Sequence, residues 1–413
     1  MRGTVWAVAN QLGVVAGTPA ELLSALLAGP PRTVRLGGAG HDPDEVAELA
    51  DVLREFGHVR VVVEAPDEDA PVSKPGDDGP VDVADAEAVC AADPVRVTAA
   101  YEAADDEHGG LRSAWLRAGQ SLIRDQDPAR RALVLRTALP PDADPRIRQA
   151  LARSAATAPW HMEWAGACPV AALTVLPGGA PVVADPGGGV RVLPDGGREQ
   201  STATRVRAAA ASGEDTVLLL DERGRLHRHG GTGTALTKAV AATLARHPGT
   251  ALAAAADVVL VGDRMGSVHA FGSDGLHQAA LHSGRVTALA ATASPSLAVR
   301  TGGTDGAVRA WSPADGGHGS TVSQRSSPVV ALHTGPTPQG PALAAAWADG
   351  LVELHRPGRR DVLGFRPGPA VRAVAVTPDG ALWVGTEETL IRLRPRWARR
   401  RGNLPNRARP GLH

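Results

Sequence analysis

His282-Ser-Gly-Arg-Val-Thr-Ala-Leu289 and Ser296-Leu-Ala-Val-Arg-Thr-Gly-Gly-Thr-Asp-Gly-Ala-Val-Arg-Ala-Trp311 hold alternating apolar runs joined by glycine-rich turns. Alternation with a period of two is the mark of a half-buried strand. The second turn, Asp305-Gly306, supplies residues that tolerate the positive φ of a tight strand connection. Fainter copies lie on both sides, with Val190, Leu226, Val268, Val308, Val352 and Ile391 as equivalent positions spaced by 36, 42, 40, 44 and 39 residues. A period of about 40 residues carrying four short strands is the form of a propeller blade. Six such units fit between Pro169 and Leu393. A seventh would need the apolar run Thr4–Ala9, read as a strand, to join the ring.

The last unit stops after its third strand, at Leu390–Arg394, and so lacks an outer strand. The run Trp160-His-Met-Glu-Trp164, just before the first unit, is expected to pair with it and leave the ring no open edge. Between Thr234 and Val261 an Ala-rich run leaves the innermost strand of the third unit open to two registers.

Upstream the period changes from strand to helix. Thr18-Pro19 opens a helix to Leu27, Arg32–Leu36 reads as a short strand, Asp42–Phe56 has Val46, Leu49, Leu53 and Phe56 at helical spacing, and Val59–Glu64 reads as a buried strand. Two strands flanking a helix predict a βαβ unit with a parallel pair. Further helices are expected over Leu111–Asp125, from Asp127-Pro128 to Leu139 and from Asp144-Pro145 to Ala155. At the last two, an Asp N-cap is followed by a first-turn proline. The fold class predicted is multidomain α+β. It runs as a small α/β module (1–65), an acidic Pro/Gly-rich loop (66–85), a helical region (86–158), an all-β six-bladed propeller (159–397) and a basic disordered tail (398–413).

The stretch His282–Trp311 resembles a WD40 repeat. That family places a His at the start of the repeat, a Ser or Thr on the second strand, an Asp in the next turn and a Trp ending the third strand. The matching positions are His282, Thr301, Asp305 and Trp311. The resemblance implies that these four form a hydrogen-bonded chain tying the blade together, which is favourable when complete. The other units depart from the pattern: Asp349-Gly350 is followed by His355 in place of the Trp, and Met265 and Phe271 stand at the Asp and Trp positions of the third unit. The resemblance also implies a non-catalytic platform. Its partner face is built from the loops leading into the first strands and those between the second and third. Those loops carry Arg205, Glu222, Arg223, Arg264, Met265, Arg285, Thr304, Arg325, Trp347, Glu387 and Glu388, a charged set with Trp and Met expected to be exposed.

Composition narrows the chemistry. The 413 residues carry a formal net charge of −1, which argues against a global nucleic-acid field. Cys90 and Cys168 offer no disulfide framework or metal spacing, which favours a reducing, cytoplasmic setting. No apolar run is long enough to span a bilayer, so no membrane insertion is expected. Gly37-Gly-Ala-Gly40 between a strand and a helix could cradle phosphate, but Pro43 takes the third glycine position and Asp42, Asp44 and Glu45 would repel it. His227 and His229 share a strand face, with no carboxylate or Cys seen beside them in sequence. No Walker loop, HExxH or EF-hand pattern occurs. No catalytic residue, metal or cofactor is therefore assigned.

A scaffold or adaptor that binds protein partners is the first expectation. A ligand sensor or enzyme using the propeller funnel or the Gly37–Gly40 turn is the alternative. A third reading is nucleic-acid association through the tail, with Arg396, Arg399, Arg400 and Arg401.

Overall fold

A computed structural model describes residues 2–27, 32–37, 43–63, 80–194, 196–197, 199–200, 202, 204–293, 296–315, 319–356, 358–359 and 361–397. The turn residues Gly38–Gly40 with Asp42, most of the acidic loop and the tail from 398 onward, including Arg399, Arg400 and Arg401, lie outside them.

The chain begins with helix α1 (Arg2–Leu12), where the sequence suggested a strand over Thr4–Ala9. Val5, Val8, Ala9 and Leu12 recur at helical spacing and all four are buried on one face. With that run helical, no seventh blade can draw on it. Helix α2 (Pro19–Leu26) starts as expected, the Thr18 hydroxyl accepting the Glu21 N–H. Strands β1 (Arg32–Leu36) and β2 (Val59–Val63) flank α3 (Pro43–Arg54) and pair in parallel, Arg32 with Val59 through Leu36 with Val63. β2 is not the buried strand expected, since Val63 is 48% exposed and only Val59 is fully buried.

Five helices follow: α4 (Ala86–Ala91), α5 (Pro94–Ala103), α6 (Leu111–Leu122), α7 (Pro128–Ala138) and α8 (Pro145–Ser154). Asp127 and Asp144 cap α7 and α8 through their carboxylates. Asp93-Pro94 opens α5 with the same device, the Asp93 carboxylate accepting from Val95 and Arg96 N–H. Trp6 of α1 lies so close to Gly119 of α6 that a Cβ there would stand 2.0 Å from the ring's Cη2. That contact locks the two helices together.

Strand β3 (Trp160–Ala167) precedes the ring. Blade 1 is β4 (Ala172–Val175), β5 (Pro181–Ala184), β6 (Gly189–Val192) and β7 (Glu199–Gln200). Blade 2 has only three strands, β8 (Val206–Ala211), β9 (Val217–Asp221) and β10 (Leu226–His229), followed by helix α9 (Ala235–Leu244). Val240 and Leu244 of α9 pack with Leu252, Val259 and Val261 of the next blade. Half of the Ala-rich run is thus a helix, and the innermost strand of blade 3 is the second half.

Blade 3 is β11 (Ala251–Ala255), β12 (Val258–Gly262), β13 (Ser267–Gly272) and β14 (Gly275–Ala280). Blade 4 is β15 (Val286–Thr292), β16 (Ala298–Gly303), β17 (Ala307–Trp311) and β18 (Ser320–Gln324). Blade 5 is β19 (Val329–Thr337), β20 (Gly340–Trp347), β21 (Val352–His355) and β22 (Val362–Phe365). Blade 6 is β23 (Val371–Val376), β24 (Leu382–Thr386), β25 (Thr389–Pro395) and, as its outer strand, β3.

The first strands β4, β8, β11, β15, β19 and β23 contact one another in turn, and β23 returns to β4. The result is a closed six-bladed propeller in which all six aligned positions, Val190 to Ile391, fall on third strands. The expected seal forms: β3 and β25 are antiparallel, from Thr389 opposite Ala167 to Pro395 opposite Trp160.

One hydrophobic core runs across the boundary at residue 158. Trp115, Leu135 and Leu151 of the helices share it with Trp160, Phe365, Val374 and Ile391 of blades 5 and 6. The helical region is built into the side of the propeller.

Candidate docking face

The loops leading into the first strands and those joining second to third strands lie on one face of the ring. On blades 2 to 4 they present Arg205, Glu222, Arg223, Arg264, Met265, Arg285 and Thr304, all exposed. Met265 is 76% exposed, an apolar side chain held in water. Arg205 and Glu222 face each other at 4.0 Å.

On blades 5 and 6 the same face is occupied. Ser327 donates its hydroxyl to the Gly13 carbonyl, and Val15 stands 3.1 Å from where a Cβ of Gly350 would be. The Ser121 hydroxyl of α6 donates to the Arg366 carbonyl at 3.0 Å. Arg117 lies 3.6 Å from Glu388, while Glu387 pairs with Arg372. The N-terminal region therefore sits on this third of the face, and Arg325, Trp347 and Glu388 belong to that seam.

Trp347 was expected to be exposed and is 0% exposed. It packs with Val329, Leu332 and Leu343, and the Arg325 guanidinium covers its ring at 5.4 Å. A residue at the end of an innermost-facing strand follows the core even where a polar turn begins.

On the open arc the turn carboxylates Asp221 and Asp263 are spent on the fold while several arginines are not. Asp221 accepts the Arg225 N–H at 2.9 Å, the Thr204 hydroxyl at 3.1 Å and pairs with His227 Nε2 at 2.8 Å. Asp263 accepts the Met265 and Ser267 N–H groups at 2.8 and 2.9 Å and pairs with His269 Nε2 at 3.0 Å. Burial works against both carboxylates, yet these donors hold each pKa below its ordinary value. The pattern Asp-x-x-Gly-x-apolar-His repeats at 221–227 and 263–269, a turn clamp legible in sequence that spacing alone could have found. It also corrects the reading of His227 and His229: Asp221 is beside the first, and Glu199 lies 3.7 Å from the second. Among the described residues no group of three or more His, Cys, Asp or Glu is placed to hold a metal.

Arg223, Arg264 and Arg285 are exposed and, among the described residues, enter no ion pair; Arg246, before β11, joins them and was missed because it follows an unforeseen helix.

In blade 4, His282 Nδ1 stands 2.9 Å from Asp305 Oδ1 and Nε2 stands 2.8 Å from the Thr301 hydroxyl. Burial depresses the His282 pKa, with Asp305 opposing. Trp311 does not extend the chain: its buried Nε1 finds no partner among the described residues. Three of the four residues are linked, and the Trp contributes packing beside Leu289 and Val299.

Elsewhere, burial pushes the Cys90 thiol up to about 12, with Arg131 opposing, and the side chain packs in the core with Trp115 and Leu135. Gly37 follows β1, and Arg396 is tied by its N–H to the Pro159 carbonyl at 2.8 Å and by its guanidinium to the Ala156 carbonyl. A cleft of about 480 Å³ opens between blades 1 and 6, lined by Pro181, Leu193, Pro194, Pro378, Trp383 and Arg392. No helix among the described residues is long and apolar enough to cross a membrane.

No protein-family model and no curated protein matches the chain.

Proposed function

We propose that this chain is a non-catalytic platform, a divergent WD40-like propeller that holds a protein partner on the open arc of blades 2 to 4. The observation that carries the reading is the division of the loop face. The N-terminal region occupies blades 5 and 6, while on blades 2 to 4 Arg223, Arg246, Arg264 and Arg285 are exposed and, among the described residues, enter no ion pair, and Met265 is exposed with them. Arginine forks with a flexible thioether suit an acidic protein surface that offers one apolar side chain. The loops of this arc hold no Trp, Tyr or Phe on which bases could stack, which disfavours single-stranded nucleic acid. A cytoplasmic setting fits two unpaired, buried cysteines.

The test is capture from native lysate by the intact chain, compared with Arg223→Glu/Arg264→Glu/Arg285→Glu. A stoichiometric partner held by the wild type and lost by the triple variant, with an unchanged melting temperature, is expected. Equal recovery by both proteins would move the partner off this arc.

A second reading, a small-ligand sensor, draws on the cleft beside Trp383, away from the central funnel and the Gly37 turn. A saturable rise in melting temperature with an apolar ligand, abolished by Trp383→Ala, would favour it.

A further inference from the structure

Where the N-terminal region meets blade 5, positive charge is in excess. Arg325 Nη2 and Arg366 Nη2 converge on a single oxygen, Oδ2 of Asp349, at 2.9 and 2.8 Å. The other Asp349 oxygen accepts the Leu351 N–H at 3.2 Å, so that carboxylate is fully engaged. Arg325 reaches Glu353 only at 3.8 Å, and Glu353 is already bound to His355 Nε2 at 3.1 Å. The Arg325 Nε is buried and, among the described residues, has no hydrogen-bond partner.

Arg124 adds a third guanidinium. Its N–H is bonded to the Ser121 carbonyl at 3.2 Å, and the Ser121 hydroxyl sits on the Arg366 carbonyl. That turn sets Arg124 three residues after the serine that bonds to the Arg366 backbone. The Arg124 side chain is half-buried and, among the described residues, has no hydrogen bond or ion pair. Burial and then the Arg366 charge pull its pKa down to about 10, with Asp349 opposing and Arg325 adding to the depression.

Three guanidiniums against two committed carboxylates leave one positive charge uncompensated in a partly desolvated seam. Leaving such a charge unpaired is costly, and a planar fork is suited to the oxygens of a phosphoryl group. We propose that Arg124, Arg325 and Arg366 form a binding site for a small oxyanion of the phosphate class, either free phosphate or the phosphoryl end of a nucleotide. The anion would bridge α6 to the loops of blades 5 and 6 and so reinforce the docking of the N-terminal region. This site lies on the covered part of the ring and is independent of partner binding on the open arc.

The experiment uses the intact chain, with melting temperature and titration calorimetry as readouts. Its arms are inorganic phosphate, ADP, and sodium chloride at matched ionic strength. Phosphate or ADP is expected to raise the melting temperature beyond the chloride control and to bind one per chain. A response to ADP alone assigns the nucleotide as source; an equal response to phosphate assigns the free ion. Arg124→Gln should weaken binding by about tenfold or more, the loss of one charge-assisted hydrogen bond, while melting no lower than wild type without anion. Arg124→Glu supplies a fixed carboxylate and should melt higher than wild type in chloride, with no phosphate response. A phosphate effect no larger than chloride, or one retained in full by both variants, overturns the assignment.

Discussion

Gly368, in the loop leading into β23, approaches Ala118 of α6 so closely that a Cβ at 368 would lie 2.5 Å from the Ala118 Cα. Its φ of +102° adds a second reason for glycine, since L side chains rarely adopt it. The helical region and blade 6 thus meet backbone to backbone, over the core that joins Trp115 to Ile391. Gly368→Ala is expected to cost on the order of 2–4 kcal/mol through clash and backbone strain together. Urea denaturation gives the measurement. Gly57→Ala, where nothing lies within 4 Å and φ is ordinary, is the control and should change stability little. Equal midpoints for the two variants would mean the helices are only loosely apposed.

Acid should weaken the propeller in a defined window. His333 Nδ1 accepts the Val376 N–H at 3.1 Å, which requires the neutral ring, and burial lowers its pKa to about 4. His282 is depressed in the same direction by its burial. The unfolded chain takes up these protons near pH 6.5, while the folded protein refuses them. Their contribution is complete above about pH 6.5 and is lost as pH falls toward about 4. Asp305 and Asp349, both held below the ordinary carboxylate range, lose theirs at lower pH still. The urea midpoint should therefore fall steadily on acidification, with a shallower slope in His333→Gln. A midpoint that rises on acidification, or an identical slope in the variant, contradicts this account.

The parts of the fold legible in sequence are those where local chemistry and tertiary packing agree. The third strands at Val190 to Ile391 were legible where one face is buried and the other is not, as at Val352 and Leu354 against Glu353 and His355, and the Asp-Pro helix starts follow from backbone hydrogen bonding alone. Thr4–Ala9 went astray because a six-residue apolar run fits either period; the deciding residue, Leu12, lay beyond it. Helix α9 replaced an outer strand because an Ala-rich segment serves as a helix wherever Val240 and Leu244 can reach a neighbouring core. The loop face of the ring was legible from the strand order, but which part stays open depends on Gly13, Val15 and Ser121 arriving from far away in the chain. No local pattern encodes that arrival.

The hydrogen-bonded chain in blade 4 ends at Thr301, and a double-mutant cycle can read that ending. Thr301 is 0% exposed, so Thr301→Val leaves His282 Nε2 unsatisfied and should cost about 1–3 kcal/mol. Trp311→Phe removes packing but no hydrogen bond to any described residue, since Nε1 makes none among them. The coupling between these two changes should lie within about 0.5 kcal/mol of zero, the range for sites with no shared partner. Thr301→Val and His282→Leu, by contrast, should couple clearly. A large Thr301–Trp311 coupling would restore the four-membered chain that the family resemblance implies.

Closure of the ring depends on a strand from outside the repeat array, and Trp160 anchors it. The side chain is 1% exposed, and its Nε1 donates to the Gly364 carbonyl of β22 at 2.9 Å. Trp160 therefore ties the outer strand of blade 6 to the outer strand of blade 5, while the backbone of β3 covers the β25 edge. Trp160→Phe keeps most of the ring volume and loses one hydrogen bond to the carbonyl of an exposed residue that water can reach, which should cost about 0.5–1.5 kcal/mol. Trp160→Ala also empties a cavity in the shared core and should cost about 3–5 kcal/mol. The two variants differ in kind as well as degree. Loss of the aromatic anchor frees β3 to leave, exposing the β25 edge to pairing with another chain. Light scattering during heating should show concentration-dependent association for Trp160→Ala well below its melting temperature, and none for Trp160→Phe. If both variants aggregate alike, edge protection resides in the β3 backbone alone and the indole serves only as packing.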